Sequence, residues 1–288
     1  MKNSVFYTLM TATLFVTLEP VSKLIAADIN PYAITFWRFL VGSLILIPFA
    51  LRKIKKDKIK ITGKDLGIML LLGTLFICIS MVSLQLAVKI ADAPSLIAII
   101  FSSNSIFTIL FAILILKEKV TRNKLVALVF GIVGVLFCVD FSAGTNLSSV
   151  VLAVLAALSF SLYTVLGKKY TVKLSGVIQA ATAFFLGSVV LLIILLIGKV
   201  DISLSLNIKN LAIIGYLGFF VTGIGYVCYF KALEKGGAIM GSLAFFIKPI
   251  LTPFVTYFIN RIVPDIKTFV AVLCIVVASY FAVLKKRA

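Results

Sequence analysis

Residues 91–137 read ADAPSLIAIIFSSNSIFTILFAILILKEKVTRNKLVALVFGIVGVLF, and this stretch is the strongest indication of the fold class. Its first part, residues 94–116, is an apolar run long enough to cross the roughly 30 Å hydrocarbon core of a bilayer as a helix. A short basic segment, residues 117–124, separates this run from a second one that continues beyond Phe137. The stretch therefore predicts two membrane crossings joined by a tight, positively charged turn.

The rest of the chain continues this alternation of apolar runs and short polar loops. Of the 288 residues, 62% are hydrophobic and only 13% are charged, and the mean hydropathy is +1.19. The surface of a soluble domain needs more charge than this. We therefore predict an all-α integral membrane protein. Its first apolar run is expected to be a membrane span and not a signal peptide that is cleaved. Ten transmembrane helices are expected near residues 4–26, 31–51, 65–89, 94–116, 121–140, 147–168, 176–198, 209–233, 237–259 and 264–284.

The distribution of basic residues predicts the orientation in the membrane. The net charge of +18 comes from Lys and Arg in short loops, which argues against nucleic acid as a partner. With the N-terminus in the cytoplasm, twenty of the 28 basic residues fall on the cytoplasmic side and five on the other. This bias follows the positive-inside rule and places both termini in the cytoplasm, which requires an even number of spans.

The two halves of the chain resemble each other at an offset of 145 residues. Segments 86–93 and 231–238 both lead through small residues into a long span, and Lys23 corresponds to Lys168. The sequence therefore predicts two five-helix units, residues 1–143 and 144–288. Five spans per unit is an odd number, so the second copy is expected to be inverted in the membrane, as in alternating-access transporters.

Residues 91–137 also carry a pattern that resembles the EamA-type branch of the drug/metabolite transporter superfamily. The pattern consists of a small-residue helix start, a polar break, an apolar run, a Glu-x-hydrophobic-Thr motif and a helix with two glycines. Here these are Ala91–Ala93, Asn104, Phe107–Leu116, Glu118–Thr121 and Gly131 with Gly134.

The resemblance covers the whole chain and implies ten helices in two inverted repeats. Similar family members export amino acids, related metabolites or drugs across the bacterial inner membrane. Two residues depart from the pattern, because Asn104 replaces the usual proline and Arg261 stands where the second copy often has glutamate.

Four charged residues within predicted spans are the strongest candidates for substrate contact, because charge in a membrane usually faces a cavity or a partner. Glu19 and Lys23 are four residues apart, a spacing that suits either a gate or a structural ion pair, and Lys23 could instead reach the interface. Arg38 could grip a substrate carboxylate or pair with Glu19 or Asp28. Lys248 lies in the ninth span, where it could bind substrate or pair with Glu19.

Polar and aromatic residues within spans complete the predicted site. Pro249 and Pro253 are expected to break the helix next to Lys248 and free backbone carbonyls. Trp37 is interpreted as an interface residue. The remaining candidates for lining a central cavity are Asn104, Gln85, Gln179, Tyr163, Tyr226 and Phe246.

These features predict a secondary transporter for an amino acid or a related zwitterion or anion, working as an exporter or exchanger in the cell membrane. The alternatives are an exporter of organic cations or drugs and, less favoured, a flippase for a lipid-linked substrate. An enzyme is not expected, because the chain has no histidine and its acidic residues are scattered. The four cysteines lie in apolar runs without metal-binding spacing. No cofactor is expected, and the sequence leaves open a monomer or a homodimer.

Overall fold

A computed structural model of the protein describes residues 2–137, 146–171, 173–204 and 207–283, and within these ranges the chain is helical without β-strands. The helices of the first half are α1 (Lys2–Val16), α2 (Leu18–Lys23), α3 (Pro31–Asp57), α4 (Gly63–Gly73), α5 (Val82–Ile90), α6 (Pro94–Ser102), α7 (Asn104–Leu116) and α8 (Arg122–Phe137). The helices of the second half are α9 (Leu147–Tyr170), α10 (Gly176–Ile197), α11 (Ile208–Gly215), α12 (Gly225–Asn260) and α13 (Ile266–Val283).

Eight helical stretches are long and apolar enough to cross a membrane. Two further apolar helices, α8 and α13, are shorter within the described residues and pack against each other. The predicted fold class is confirmed as an all-helical membrane protein, whereas the count of ten crossings stays a prediction. The predicted boundary between residues 143 and 144 lies outside the described residues, as do Cys138 and the basic residues 285–287.

Several predicted helix ends are observed, and their capping explains them. The side chain of Asn30 accepts a hydrogen bond of 3.0 Å from the backbone N–H of Tyr32, with Pro31 in the first turn of α3. This arrangement satisfies backbone donors that have no partner within the helix. The predicted end of the second span at residue 51 was wrong, because α3 continues through a basic segment to Asp57. The first span is interrupted at Thr17, between α1 and α2.

The chain reverses direction within the helical residues of α12. The rings of Tyr229 and Phe245 lie 5.4 Å apart, and both contact Phe15 of α1. Sixteen residues of straight helix would separate Tyr229 from Phe245 by about 24 Å. The two arms of α12 are therefore antiparallel, and they correspond to the predicted eighth and ninth spans.

The expected helix break at the two prolines was wrong. Both Pro249 and Pro253 lie inside the second arm of α12, which stays helical to Asn260. Proline removes one backbone donor, but its φ angle is compatible with a helix. Contacts with neighbouring helices can therefore keep the segment helical. A break does occur in the fourth span, where Ser103 separates α6 from α7 next to the predicted residue Asn104.

Two π-helical segments occupy corresponding positions in the two halves. Thr74–Met81 lies between α4 and α5, and Tyr216–Ile224 lies between α11 and α12. The segments are 142 residues apart at their first residues, close to the repeat offset seen in the sequence. Segments of π-helix are rare and often mark functional regions of transport proteins and enzymes. Their matched positions agree with a duplicated helical unit.

Ion pairs join the basic loops on one side of the helix bundle, which we name the basic face. Lys53 at the end of α3 contacts Glu234, and Lys173 contacts Asp65 at the start of α4. Glu118, after α7, contacts Lys124 and Lys168, the latter at the end of α9. These loops are the ones that the charge distribution predicts on a common side of the membrane.

Candidate substrate site

A cavity of about 460 Å³ lies between the two halves of the bundle and opens on the basic face. Lys168 at its mouth has a side chain that is 67% exposed, which places the opening on that face. The size of the cavity suits a small metabolite. Its lining consists of Asn104, Ser105, Thr108, Ile109, Phe160, Tyr163, Thr164, Lys168, Gly176, Gln179, Tyr226, Tyr229, Phe230, Leu233, Phe245 and Phe246.

Aromatic rings form most of the inner surface of this cavity. On the first arm of α12, Tyr226, Tyr229 and Phe230 lie on one helix face, and the rings of Tyr226 and Tyr229 are 6.3 Å apart. Phe160 and Tyr163 of α9 line the opposite wall, with ring centroids 6.2 Å apart. Rings in contact with one another keep fixed positions and offer both flat apolar surfaces and hydroxyl groups to a substrate.

Asn104 is the predicted polar residue most firmly held in the cavity wall. Its side-chain N–H donates to the carbonyl of Phe101 at 2.7 Å, across the break in the fourth span. Its own carbonyl accepts from the hydroxyl of Ser161 in α9 at 2.6 Å. Asn104 therefore links the broken span to α9. Its side chain also provides a hydrogen-bond partner for a backbone carbonyl next to the break.

The two predicted glutamines have different positions. Gln179 lines the cavity, and its side-chain oxygen accepts a hydrogen bond of 2.7 Å from the hydroxyl of Thr171. Gln85 is buried in α5 and is not part of the lining of the main cavity. Gln85 therefore lies outside the site that the structure brings together.

Glu19 and Lys248 form a buried ion pair between α2 and the second arm of α12. The Lys248 ammonium lies 2.6 Å from Oε1 of Glu19, with 4% and 0% of the side chains exposed, respectively. Lys248 also lies 5.4 Å above the ring of Phe101. The predicted pairing of Glu19 with Lys23 was wrong. Lys23 instead donates to the backbone carbonyls of Lys89 and Ala91 at the end of α5, because it sits one turn nearer the end of its helix.

Arg38 is buried in α3 without a carboxylate partner. Only 2% of the residue is exposed, and no carboxylate among the described residues lies within 4.0 Å of its guanidinium. Its Nη2 donates to the sulfur of Met81 at 3.4 Å, its Cζ lies 4.4 Å from the Phe39 ring, and its Nε has no acceptor. The predicted pairing with Glu19 or Asp28 is therefore absent. The buried guanidinium of Arg38 has the chemistry to bind an anionic ligand.

A second, smaller pocket of about 30 Å³ lies beside the main cavity and shares part of its lining. Arg38 and Lys248 both line it, and Phe160, Tyr226 and Phe245 line both this pocket and the main cavity. Arg38 is fifteen residues before Lys53 in α3, so it lies about 22 Å along that helix from the basic face. Glu19, Arg38 and Lys248, which we name the charged layer, therefore lie deep in the bundle. The shared aromatic residues separate this layer from the main cavity.

Sequence reasoning missed several aromatic residues of the site. Tyr229, Phe230 and Phe245 line the cavity beside the predicted Tyr226 and Phe246. The spacing of three and four residues from Tyr226 to Tyr229 and Phe230 places these rings on one helix face, which could have identified them. Trp37, expected at the membrane interface, is half-buried and donates from its indole to the carbonyl of Ile202 at 3.0 Å.

A multi-span helical bundle with a central aromatic cavity and buried charges defines a membrane transporter. The profile of the EamA-like transporter family matches residues 2–139 and 147–284, one match in each half. The chain therefore belongs to this family, a branch of the drug/metabolite transporter superfamily. The two matches are offset by 145 residues, the spacing on which the repeat was predicted.

Individual relatives agree with this assignment. The chain is 32% identical over 288 residues to an uncharacterized transporter of Clostridium kluyveri, covering 97% of this chain and 92% of that protein. It is 23% identical to an S-adenosylmethionine uptake transporter of Rickettsia bellii, covering 93% and 89% of the two chains. A solved crystal structure shares the fold with a TM-score of 0.67 at 14% identity, covering 98% of this chain and 97% of the other.

Proposed function

We propose that the protein is a secondary transporter for a small metabolite that carries a carboxylate, such as an amino acid or a related zwitterion or anion. Arg38 carries this proposal, since it is a buried guanidinium without a carboxylate partner among the described residues. A carboxylate can accept two parallel hydrogen bonds from a guanidinium and neutralise its charge. The main cavity would then hold the remainder of the substrate against aromatic rings.

The direction of transport follows from the orientation of the basic face. By the positive-inside rule this face is cytoplasmic, so the cavity opens to the cytoplasm and the charged layer closes the path to the outside. Such a conformation would load substrate from the cell, which suits export or exchange across the inner membrane. Alternating access would come from rearrangement of the two inverted halves about the central site.

A second candidate function is transport of an organic cation. The cavity presents the rings of Tyr163, Tyr226 and Tyr229, and aromatic faces attract cations. Relatives named as S-adenosylmethionine uptake transporters favour uptake as the direction. S-adenosylmethionine carries a carboxylate as well as a positively charged sulfonium, so these relatives agree with both candidates. The charged layer argues against a bare cation, because Arg38 and Lys248 together outnumber Glu19.

Counterflow in proteoliposomes tests the proposal and separates the two candidates. Purified protein is reconstituted and loaded in turn with amino acids, simple carboxylates and organic cations, and uptake of the matching radiolabelled compound is measured. We expect a carboxylate to be exchanged by the wild type. We expect Arg38→Gln to reduce its kcat/KM at least tenfold, equivalent to about 1.4 kcal/mol.

Two variants serve as controls in this experiment. Arg38→Lys keeps the charge without the planar fork and should retain part of the activity. Lys169→Gln removes an exposed charge that lies outside the cavity lining and should behave like the wild type. Exchange of organic cations without exchange of any carboxylate would replace the proposal with the second candidate.

A further inference from the structure

The pocket of about 30 Å³ beneath the main cavity is lined by two cations and by no carboxylate of the described residues. Arg38 and Lys248 line it together with the hydroxyl-bearing residues Thr222 and Tyr226. Glu19 contacts Lys248 from outside this lining. The electrostatic potential inside the pocket is therefore positive, and it favours a ligand with negative charge.

The charge count of the buried layer supports the same conclusion. Glu19 neutralises one of the two cations through its contact with Lys248, and the charge of Arg38 remains. An uncompensated charge in a protein interior is strongly destabilising, and a bound ion of opposite sign removes that penalty. The Nε of Arg38 is a buried donor without an acceptor among the described residues, so it is available to such an ion.

The volume of the pocket limits the ligand to one small particle. A pocket needs roughly 10–15 Å³ to hold one water molecule, so about 30 Å³ admits a small ion but not a metabolite. A monatomic anion such as chloride is only slightly larger than water and brings the missing negative charge. An amino acid does not fit, although its carboxylate could enter from the main cavity through the shared residues Phe160, Tyr226 and Phe245.

We propose that this pocket binds chloride between Arg38 and Lys248 when no substrate is bound, and that the substrate carboxylate displaces the chloride. The competition between the two anions rests on the proposed function, whereas chloride binding itself does not. The transporter would thus keep its buried layer neutral in both the empty and the loaded state. Chloride in the medium would act as a competitive inhibitor of carboxylate transport.

Thermal unfolding of the full-length protein in detergent tests chloride binding without any transport substrate. The midpoint Tm is measured in sodium chloride and in sodium isethionate, a larger anion without a carboxylate, at the same concentration, so that ionic strength is constant. A ligand that binds only the folded state raises Tm as its concentration exceeds its Kd. We expect chloride to raise Tm of the wild type by about 2–4 °C over isethionate in a saturable manner.

Two variants show whether this effect belongs to the pocket. Arg38→Gln should abolish the difference between chloride and isethionate, and Arg38→Lys should retain part of it. Lys169→Gln, which changes a charge outside the pocket, should retain all of it. Bromide, which is larger, should also bind, and its position between Arg38 and Lys248 can be located by anomalous scattering from crystals of the full chain.

Transport kinetics test the displacement. In proteoliposomes, the apparent KM for a transported carboxylate should double when chloride equals its own Kd, with kcat unchanged. Equal Tm values in chloride and isethionate, with carboxylate transport intact, would overturn the chloride site and leave the proposed function standing. A chloride-dependent Tm without transport of any carboxylate would support the anion site and overturn the proposed function.

Discussion

The buried pair of Glu19 and Lys248 allows a quantitative prediction about stability. Glu19→Gln keeps the shape of the side chain but removes the only carboxylate that contacts Lys248 among the described residues. Lys248 and Arg38 then leave two uncompensated cations in one buried layer. We expect this substitution to destabilise the protein more than Lys248→Met does. After Lys248→Met, Glu19 still has a nearby cation, because Arg38 lines the same pocket as Lys248.

The magnitude follows from the burial of the pair. Removing one partner of a buried ion pair costs about 3–5 kcal/mol, because the other charge remains without compensation. One kcal/mol corresponds to about 2–4 °C in Tm for a chain of roughly this size, so Glu19→Gln should lower Tm by roughly 6–20 °C. The double variant Glu19→Gln/Lys248→Met removes both charges and should recover most of this loss.

The assay is thermal unfolding of the purified protein followed by loss of its monodisperse peak in size-exclusion chromatography. The four proteins of the double-mutant cycle are compared in sodium isethionate, so that neither bound chloride nor a bound carboxylate contributes. The reasoning is refuted if Glu19→Gln changes Tm by less than about 2 °C, or if the double variant is less stable than either single variant.

Three further predictions concern the cavity, the basic face and the helix packing. Tyr229→Ala should raise the KM for substrate severalfold in counterflow while Tyr229→Phe stays near the wild type, because the ring supplies the contact; equal KM values would contradict this. The ammonium of Lys168 holds the pKa of Glu118 below its ordinary value of 4.5, so the stabilisation that Glu118 provides is complete above pH 4.5 and is lost as pH falls through the lowered pKa. The Tm difference between wild type and Glu118→Gln, about 1–3 °C for a half-exposed pair, should be constant from pH 6 to 8 and decrease progressively as the pH falls below 4.5. Gly73→Val should prevent folding or lower Tm sharply, since a Cβ there would overlap the backbone at Ala183 in α10, and a wild-type Tm would show that α4 and α10 pack less tightly.

Much of the fold could be predicted because it depends on sums over local sequence. The apolar runs around residues 31–51 and 176–198 predict spans without reference to any neighbour, since each must satisfy its backbone hydrogen bonds internally in lipid. The caps at Asn30 and Pro31 act within one turn, so they too are readable from the sequence. The π-helical segments were not predicted, because their composition is that of an ordinary apolar span.

The site was predictable only in part. Burial of charge identified Glu19, Arg38 and Lys248, since charged residues in apolar runs are conspicuous whatever their partners. The sequence offered both Lys23 and Lys248 as partners of Glu19 and could not choose between them. In the structure Glu19 pairs with Lys248, which is 229 residues away in the chain, and not with Lys23 four residues away. Local spacing favours pairs on one helix, whereas the packing of α2 against α12 brings the distant lysine closer.

Hydropathy and charge act segment by segment, so the sequence was sufficient to predict the class of protein, the approximate spans, the basic loops and the duplicated halves. Helix packing was needed to show that α12 folds back on itself, that the aromatic rings of Tyr226 and Tyr229 face a common cavity, and that Arg38 has no carboxylate partner among the described residues. These outcomes depend on distances between segments that are remote in the chain, and such distances are fixed when the helices pack.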